Sequence, residues 1–237
     1  MSEAVMDGQI QPKGNATIGL EGPSTIAGRI YERVRDMILR AEIAPGEKLL
    51  PRHLSEMFGV SSTPIREALR LLEQANLVEI IPHKGAIVRP ILSAKQVDDL
   101  YTVRLALEQL AIRSVGSTLP DSQWEGLRQA VENYAEANEV DDFEGALIWD
   151  MRFHSLLAQA SDNVILQDIF AKLENQTQVL RRLDRGKTRR QQSLRDHRII
   201  LEALKRRDYD SAMAALEEHI MNGKKHVLDI LSKLDQS

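Results

Sequence analysis

The sequence predicts a mainly α-helical protein in which an N-terminal winged helix-turn-helix precedes an all-α helical bundle. Aromatic residues make up only 4% of the 237 residues, whereas helix-forming residues are abundant, which favours helices over a β-sandwich. All eight prolines lie at or before Pro120, and only four glycines follow it, so long uninterrupted helices are expected there. Between Ser24 and Pro90, prolines and glycines recur so often that every element must be short.

Three segments differ in composition and charge. Residues 1–23 are small and polar and have no periodicity, so we expect a disordered tail. Residues 24–90 are expected to form the winged helix-turn-helix, and residues 93–233 the helical bundle. The chain carries a net charge of −4, but the first domain is mildly basic and the second is acidic. This split indicates different partners for the two domains.

Several classes of protein are excluded by composition. There is no cysteine, which excludes a disulfide scaffold, a thiolate zinc site, an iron–sulfur cluster and a cysteine nucleophile. No apolar run approaches the roughly 18 residues that a membrane span requires. The first 23 residues lack the basic start and apolar core of a secretory signal. We therefore expect a cytoplasmic protein without a membrane partner.

The first two helices follow from apolar spacing and from the residues that end each helix. Apolar residues recur at intervals of three and four in the first helix, at Ile26, Ile30, Val34, Met37, Ile38 and Ala41. This helix stops at Ala44-Pro45, because proline disfavours a helical conformation in the preceding residue. A second helix is expected from Pro51 to Met57, and Gly59 suits the left-handed residue that ends it.

A third helix and a hairpin complete the predicted domain. Thr63 is expected to cap the third helix with Pro64 at its first position. The apolar stripe of this helix comprises Ile65, Ala68, Leu69 and Leu72. Residues 77–81 and 86–88 flank a turn at residues 82–85, which predicts a β-hairpin. Three helices followed by a hairpin form a winged helix-turn-helix.

The third helix carries the side chains best suited to read DNA. In such a domain the helix after the turn enters the major groove. Arg66 and Arg70 lie four residues apart and off the apolar stripe, and guanidinium groups suit phosphate or guanine. The helix N-terminus also favours a phosphate. The full set of DNA-contact candidates is Arg52, Ser61, Ser62, Thr63, Arg66, Arg70, His83, Lys84 and Gly85. The alternative for any single arginine is an ordinary solvated charge.

Two sequence runs in this domain resemble a known family. The chain reads Ala-Pro-Gly-Glu-Lys-Leu from Ala44 and Val-Ser-Ser-Thr-Pro-Ile-Arg-Glu-Ala-Leu-Arg from Val60. These runs resemble the GntR family of bacterial transcription regulators. The resemblance implies a homodimer on palindromic operator DNA, with contacts from the positions that Arg52, Thr63 and Arg66 occupy and with Gly85 in the wing. Many members carry arginine in place of Ser62, so a base or phosphate contact common in the family is expected to be weakened or replaced here.

The second domain offers a candidate set of metal ligands. Asp150 and His154 lie four residues apart and share one face of a helix. His197 and His219 each lie about eleven residues from a predicted turn at Asp208, or roughly 16 Å along their helices, and so reach the same level. Three imidazoles and one carboxylate would then converge in the bundle core. That donor set suits zinc, nickel or manganese.

Other interpretations of these residues remain open. A single helical histidine is more often a core or surface residue than a ligand. Asp150 could pair with Arg152 or Arg113, and His226 could compete with His219. The basic run at residues 181–190 is expected to be a solvated loop between two helices, with a second nucleic-acid surface as the alternative.

Motifs spread over about residues 93–233 carry a second resemblance. They comprise Leu100–Glu108, Asp150 with Phe153-His154, Asp196-His197, Arg207-Asp208 and His219-Ile220. These motifs look like the all-helical FCD-type ligand-binding domain of the FadR subfamily. The resemblance implies that Asp150, His154, His197 and His219 bind a metal, expected to be zinc. It also implies that Arg104 helps to bind a small carboxylate effector.

The leading hypothesis is a metabolite-responsive transcription regulator, in which an effector bound at the metal lowers affinity for the operator. Repression is expected rather than activation. One alternative is a metal-dependent enzyme acting on a small organic acid, but no general base stands out and the winged helix would be unexplained. A third hypothesis is a constitutive DNA-binding protein with a structural metal. We expect that the protein is not an enzyme.

Overall fold

A computed structural model describes residues 25–40, 42–82, 84–90, 92–115 and 119–234. The tail expected at residues 1–23 lies outside the described residues, as do Ala41 and the DNA-contact candidate His83. The chain divides into two compact units, and the first of them ends at Pro90.

The first unit is a winged helix-turn-helix, as predicted. Its elements are α1 (Ile26–Leu39), β1 (Lys48–Leu49), α2 (Pro51–Phe58), α3 (Ser62–Gln74), β2 (Val78–Ile81) and β3 (Gly85–Val88). The strands form an antiparallel sheet in the order β1-β3-β2, in which Lys48 pairs with Ile87 and Val78 with Val88. The hairpin β2–β3 was predicted, whereas the two-residue strand β1 was not.

The core of this unit lies between α1 and α3. Ile30 and Val34 from α1 and Ile65 and Leu72 from α3 are almost completely buried, as their spacing predicted. Because one stripe of α3 is used in this core, the opposite side of α3 stays exposed to solvent.

The turn between α2 and α3 confirms one detail of the sequence analysis and corrects another. Gly59 has the expected left-handed conformation, with φ of 65°. Helix α3 begins at Ser62 with Ser61 as its N-cap, so the assignment of Thr63 as N-cap was wrong. Pro64 occupies the third helical position. Backbone N–H groups in a helix's first turn have no partner within the helix, so proline fits several positions there and does not mark the first residue.

The second unit is all-helical. Its elements are α4 (Ala94–Ser114), α5 (Asp121–Glu139), α6 (Phe143–Ala160), α7 (Val164–Arg181), α8 (Lys187–Lys205) and α9 (Tyr209–Leu234). Helix α4 begins with a capping box in which Ser93 Oγ accepts from the Gln96 backbone and Gln96 accepts from the Ser93 backbone. The side chains of Asp142 and Asn163 cap α6 and α7 by accepting from the Gly145 and Leu166 backbones.

These helices enclose a continuous hydrophobic core. Tyr101 of α4, Leu127 of α5, Phe153 of α6, Ile200 of α8 and Leu216 of α9 are among its most deeply buried members. No helix within the described ranges is both long and apolar enough to cross a membrane.

Candidate metal centre

Four side chains predicted as metal ligands lie together in the second unit. One nitrogen or oxygen atom from each of Asp150, His154, His197 and His219 lies within 4.8 Å of each of the others. All four residues are buried, with exposed fractions of 6%, 1%, 0% and 1%. The structure therefore brings together the set that the sequence predicted.

The helices place these residues as their spacing suggested. Asp150 and His154 lie one turn apart on α6, while His197 lies on α8 and His219 on α9. The turn after α8 is closed by Asp208, whose Oδ1 accepts from the Ser211 backbone at 3.1 Å. His219 is thereby returned to the level of His197, and their ring centroids lie 4.6 Å apart.

Two of the imidazoles are oriented by carboxylates that the sequence analysis missed. His154 Nδ1 lies 2.5 Å from Glu108 Oε2, and His219 Nδ1 lies 3.3 Å from Asp196 Oδ2. Because an ionised carboxylate only accepts, each Nδ1 carries the proton and each Nε2 carries a lone pair. The two Nε2 atoms lie 3.1 Å apart. Two lone pairs at this distance repel each other unless a cation lies between or beside them.

Within the described part of the chain, the third imidazole, that of His197, lacks the hydrogen-bond partner that a buried polar ring normally has. Neither ring nitrogen of His197 has a hydrogen-bond partner among the described residues. Its Nε2 lies 3.3 Å from Asp150 Oδ1. Buried polar atoms of this kind are normally satisfied, so the cluster fits a bound cation better than it fits a polar core.

Burial also keeps the imidazoles in the form that binds metal. It lowers the pKa of His154, although Glu108 opposes that shift. Burial together with neighbouring histidine and arginine side chains holds the pKa values of His197 and His219 well below the ordinary value. The Glu108 carboxyl is also buried, which alone would raise its pKa, but Arg104 and His154 lower that pKa to about 2. Neutral imidazoles backed by an ionised carboxylate are good ligands for zinc, nickel or manganese.

A cavity of about 60 Å³ opens beside this cluster. Asp150 and His219 line it, and so does Arg104, the residue predicted to bind an effector. Arg104 donates its Nε–H to Glu108 Oε1 at 2.7 Å. A cavity of this size holds a few water molecules or a small organic acid.

The basic run at residues 181–190 is only in part the solvated loop that the sequence analysis expected, because residues 182–186 connect α7 and α8 whereas both ends of the run lie in helices. Arg181 ends α7, Arg189 and Arg190 lie in the first turn of α8, and all three line the cavity. Arg181 pairs with Asp150, and Arg190 pairs with Asp141. Arg185 at the centre of the run remains exposed, as expected.

The other sequence alternatives for this region are also resolved. Asp150 pairs with Arg181 rather than with Arg152 or Arg113. His226 is half exposed and lies 3.8 Å from Asp184, outside the cluster of four.

The predicted DNA-contact side chains lie on the first unit. The exposed ones are Arg52, Ser61, Ser62, Thr63, Arg66, Arg70 and Lys84. Arg52 donates to Glu56 at 3.1 Å on α2, an exposed pair that DNA phosphate could displace. Glu73, a possible partner for the α3 arginines, instead accepts from the Ile80 backbone at 2.9 Å.

Gly85 differs from the other candidates because it is half-buried. It has a φ of +91°, and a Cβ atom there would lie 2.5 Å from the Leu49 carbonyl oxygen. This residue therefore shapes the wing by letting β1 approach β3 closely.

Comparisons with known proteins match both halves of the chain. Residues 26–88 match the family described as bacterial regulatory proteins, gntR family, and residues 99–222 match the FCD domain. The HTH-type transcriptional regulator YdhC of Bacillus subtilis (strain 168) is 30% identical over 222 residues, which cover 90% of this chain and 96% of YdhC. The HTH-type transcriptional repressor RspR of Escherichia coli (strain K12) is 30% identical over 203 residues, which cover 85% of this chain and 89% of RspR.

Solved structures share the same architecture. A GntR transcriptional regulator from Rhodococcus sp. RHA1 matches with a TM-score of 0.74 and 22% identity, covering 86% of this chain and 97% of that one. McbR/YncC of E. coli matches with a TM-score of 0.76 and 20% identity, covering 87% of this chain and 99% of that one. At these identities the likeness concerns the fold.

Proposed function

Since this chain belongs to the GntR family of bacterial regulatory proteins and carries an FCD domain, it is a DNA-binding transcription regulator and not an enzyme, and we propose that it is a metal-dependent repressor released by a small carboxylate. The proposed metal is zinc, held by Asp150, His154, His197 and His219. The proposed assembly is a homodimer that binds palindromic operator DNA in the cytoplasm.

One observation carries the metal part of this proposal. Four donor atoms converge within 4.8 Å, and two of them are facing Nε2 lone pairs whose orientation Glu108 and Asp196 fix. Three neutral nitrogens and one carboxylate oxygen suit zinc, with nickel or manganese as alternatives. When bound, such a metal supplies open positions for an effector carboxylate.

The residues around the cavity supply the remaining recognition. Arg104 is the proposed effector-binding guanidinium, and its pairing with Glu108 holds it against the cavity wall. Glu108 also orients His154, so Arg104, Glu108 and His154 form one connected chain of contacts. An effector that alters this chain can shift the second unit between two states, and linkage then lowers operator affinity.

The DNA-binding part rests on α3 and the wing. Arg66 and Arg70 are exposed on the side of α3 opposite its buried stripe, where guanidinium groups can reach guanine or phosphate. Arg52, Ser61, Ser62, Thr63 and Lys84 are proposed to add contacts to the DNA backbone or bases, and His83 and Gly85 belong to the proposed wing. The name of the relative RspR, a repressor, supports repression as the sign of regulation.

The test is the metal content per chain, measured by plasma mass spectrometry on untagged protein purified without chelator. We expect about one equivalent in the parent and little in His154→Ala, because that variant removes one of four ligands. His226→Ala is the matched control, because that histidine lies outside the cluster and should leave the metal content unchanged.

Either of two results would contradict the metal proposal. One is a parent chain that holds no metal even after zinc, nickel and manganese are added back. The other is a metal content that is equal in the parent and in His154→Ala. The DNA-binding assignment would stand in both cases.

A further inference from the structure

Arg189 is a partly buried cation of the cavity without a carboxylate partner. Within the described ranges, no Asp or Glu oxygen lies within 4.0 Å of its guanidinium, and its hydrogen bonds go to neutral oxygens. Nη1 donates to Ser193 Oγ at 2.7 Å and Nη2 donates to the His219 carbonyl oxygen at 3.3 Å. Burial lowers the pKa of Arg189, although nearby acidic and tyrosine side chains partly oppose that shift.

The other cavity arginines are compensated. Arg104 pairs with Glu108 at 2.7 Å, Arg181 pairs with Asp150, and Arg190 pairs with Asp141. Burying a charge without a partner is costly, so a cation left unpaired in a cavity marks a place where a ligand can bring the opposite charge.

A glycine leaves space for the Arg189 guanidinium. Gly223 on α9 faces it, and a Cβ atom there would lie 3.1 Å from Arg189 Nη2. Arg189 also lies close to the donor cluster formed by Asp150, His154, His197 and His219. Its guanidinium hydrogen-bonds the backbone carbonyl of His219, whose side chain belongs to that cluster.

The donor cluster would itself carry positive charge. Asp150 is the one acidic side chain among the four proposed ligands, and it also pairs with Arg181, so a divalent cation would retain a net positive charge there. The cavity of about 60 Å³ would then contain two positive centres, one at the cluster and one at Arg189. A dianion can place one negative charge at each of these two centres.

From these contacts we propose that the effector is a small dicarboxylate, with one carboxylate bound by Arg189 and the other at the cluster of Asp150, His154, His197 and His219. This inference rests on the proposed function, since it uses the same cavity and the same cluster. It assigns to Arg189 a role in specificity, because a monocarboxylate would leave that guanidinium unpaired.

The experiment is a calorimetric titration of the metal-loaded full chain with two matched pairs of acids. Malonate is compared with propionate, and succinate with butyrate, since in each pair a methyl group replaces one carboxylate. We expect at least one dicarboxylate to bind about tenfold or more tightly than its partner, the usual scale for a charge-assisted hydrogen bond. Arg189→Gln should remove this preference.

Two further variants separate the role of Arg189 from effects on folding. Gly223→Ala keeps every charge but crowds the Arg189 guanidinium, so the dicarboxylate preference should shrink. Arg198→Gln on the same helix removes an exposed cation and should leave the preference unchanged.

Either of two results would overturn the inference: no preference for a dicarboxylate in the parent, or an equal preference in Arg189→Gln. Metal content is measured on every sample, so a failure of the proposed metal site is detected separately. If the parent holds no metal, the same comparison of Arg189→Gln with the parent still decides the role of Arg189.

Discussion

Glu174 on α7 is a half-buried carboxyl group near the Arg104–Glu108 pair. Its Oε1 is buried and has no hydrogen-bond partner among the described residues. Burial raises its pKa to about 8, with Arg104 opposing the shift and Glu108 adding to it. The folded chain therefore holds this proton more tightly than the unfolded chain does.

The raised pKa of Glu174 gives a prediction about stability and pH. A group whose pKa is raised on folding contributes stability that is complete below its unfolded pKa and is lost as pH rises through the folded value. Between pH 5 and pH 9 the free energy of unfolding of the parent should fall by roughly 2–4 kcal/mol more than that of Glu174→Gln, whose amide side chain stays neutral. The measurement is thermal unfolding followed by circular dichroism, with metal removed by chelator.

Glu202→Gln serves as the control, because Glu202 is exposed on α8 and should keep the pH dependence of the parent. If Glu174→Gln also kept that dependence, the carboxyl group would not be protonated in the folded chain.

At the residue scale, the sequence predicted the four proposed ligands but not the side chains that surround them. Asp150 and His154 were found by their spacing, and His197 and His219 by their distance from the turn. Arg189 was missed because a cluster of basic residues usually lies in solvent. A signal was present, since Arg189, Ser193 and His197 recur every four residues and so share one face of α8.

The strand β1 is an element whose fit depends on a glycine. Gly85 begins β3 with a φ of +91°, and any Cβ there would clash with the Leu49 carbonyl oxygen of β1. Gly46 also has a positive φ, of +82°, but a Cβ atom there would meet nothing within 4 Å. Substitution of Gly46 would therefore introduce backbone strain alone, whereas substitution of Gly85 would introduce strain and a steric clash.

We predict that Gly85→Ala destabilises the first unit more than Gly46→Ala does. Strain alone should cost about 1 kcal/mol at either position. The clash of Gly85→Ala with backbone, which cannot rotate away, should add about 1–2 kcal/mol. Chemical unfolding of both variants beside the parent measures the difference, and equal losses would mean that β1 can move away from β3.

At the element scale, helix existence was predictable and several helix ends were not. Helices α5 and α6 are followed by Asp141 and Asp162 in the left-handed conformation, with φ of 57° and 52°. Glycine usually marks such an end, so a stretch with only four glycines conceals its helix boundaries. Strand β1 was missed because two residues carry no alternating pattern.

The whole molecule combines a DNA-binding domain of the GntR family with an FCD domain in one chain. If the chain forms the proposed homodimer, the two copies of α3 would enter successive major grooves about 34 Å apart. Arg66 and Arg70 would then occur twice in each complex, and every contact would count twice in the binding free energy.

The replacement of Arg66 and Arg70 by alanine should therefore abolish specific operator binding. With a bidentate contact worth about 1–3 kcal/mol, the double variant should lose at least about 100-fold in affinity. The operator is first selected from random duplex DNA with the parent chain, and affinity is then measured by fluorescence anisotropy at one fixed salt concentration. Arg198→Ala controls for the loss of an exposed arginine, and unchanged affinity in the double variant would exclude α3 as the recognition helix.

The positively charged lining of the cavity also bears on rates of exchange. Arg104, Arg181 and Arg189 all face the space beside the donor cluster, so a cation moving through it is repelled while an anion is attracted. A metal held behind these guanidinium groups would dissociate slowly, whereas the acid would associate quickly. The regulator would then keep its metal through many cycles of effector binding, so its response would follow the current concentration of the acid rather than fluctuations in the metal supply.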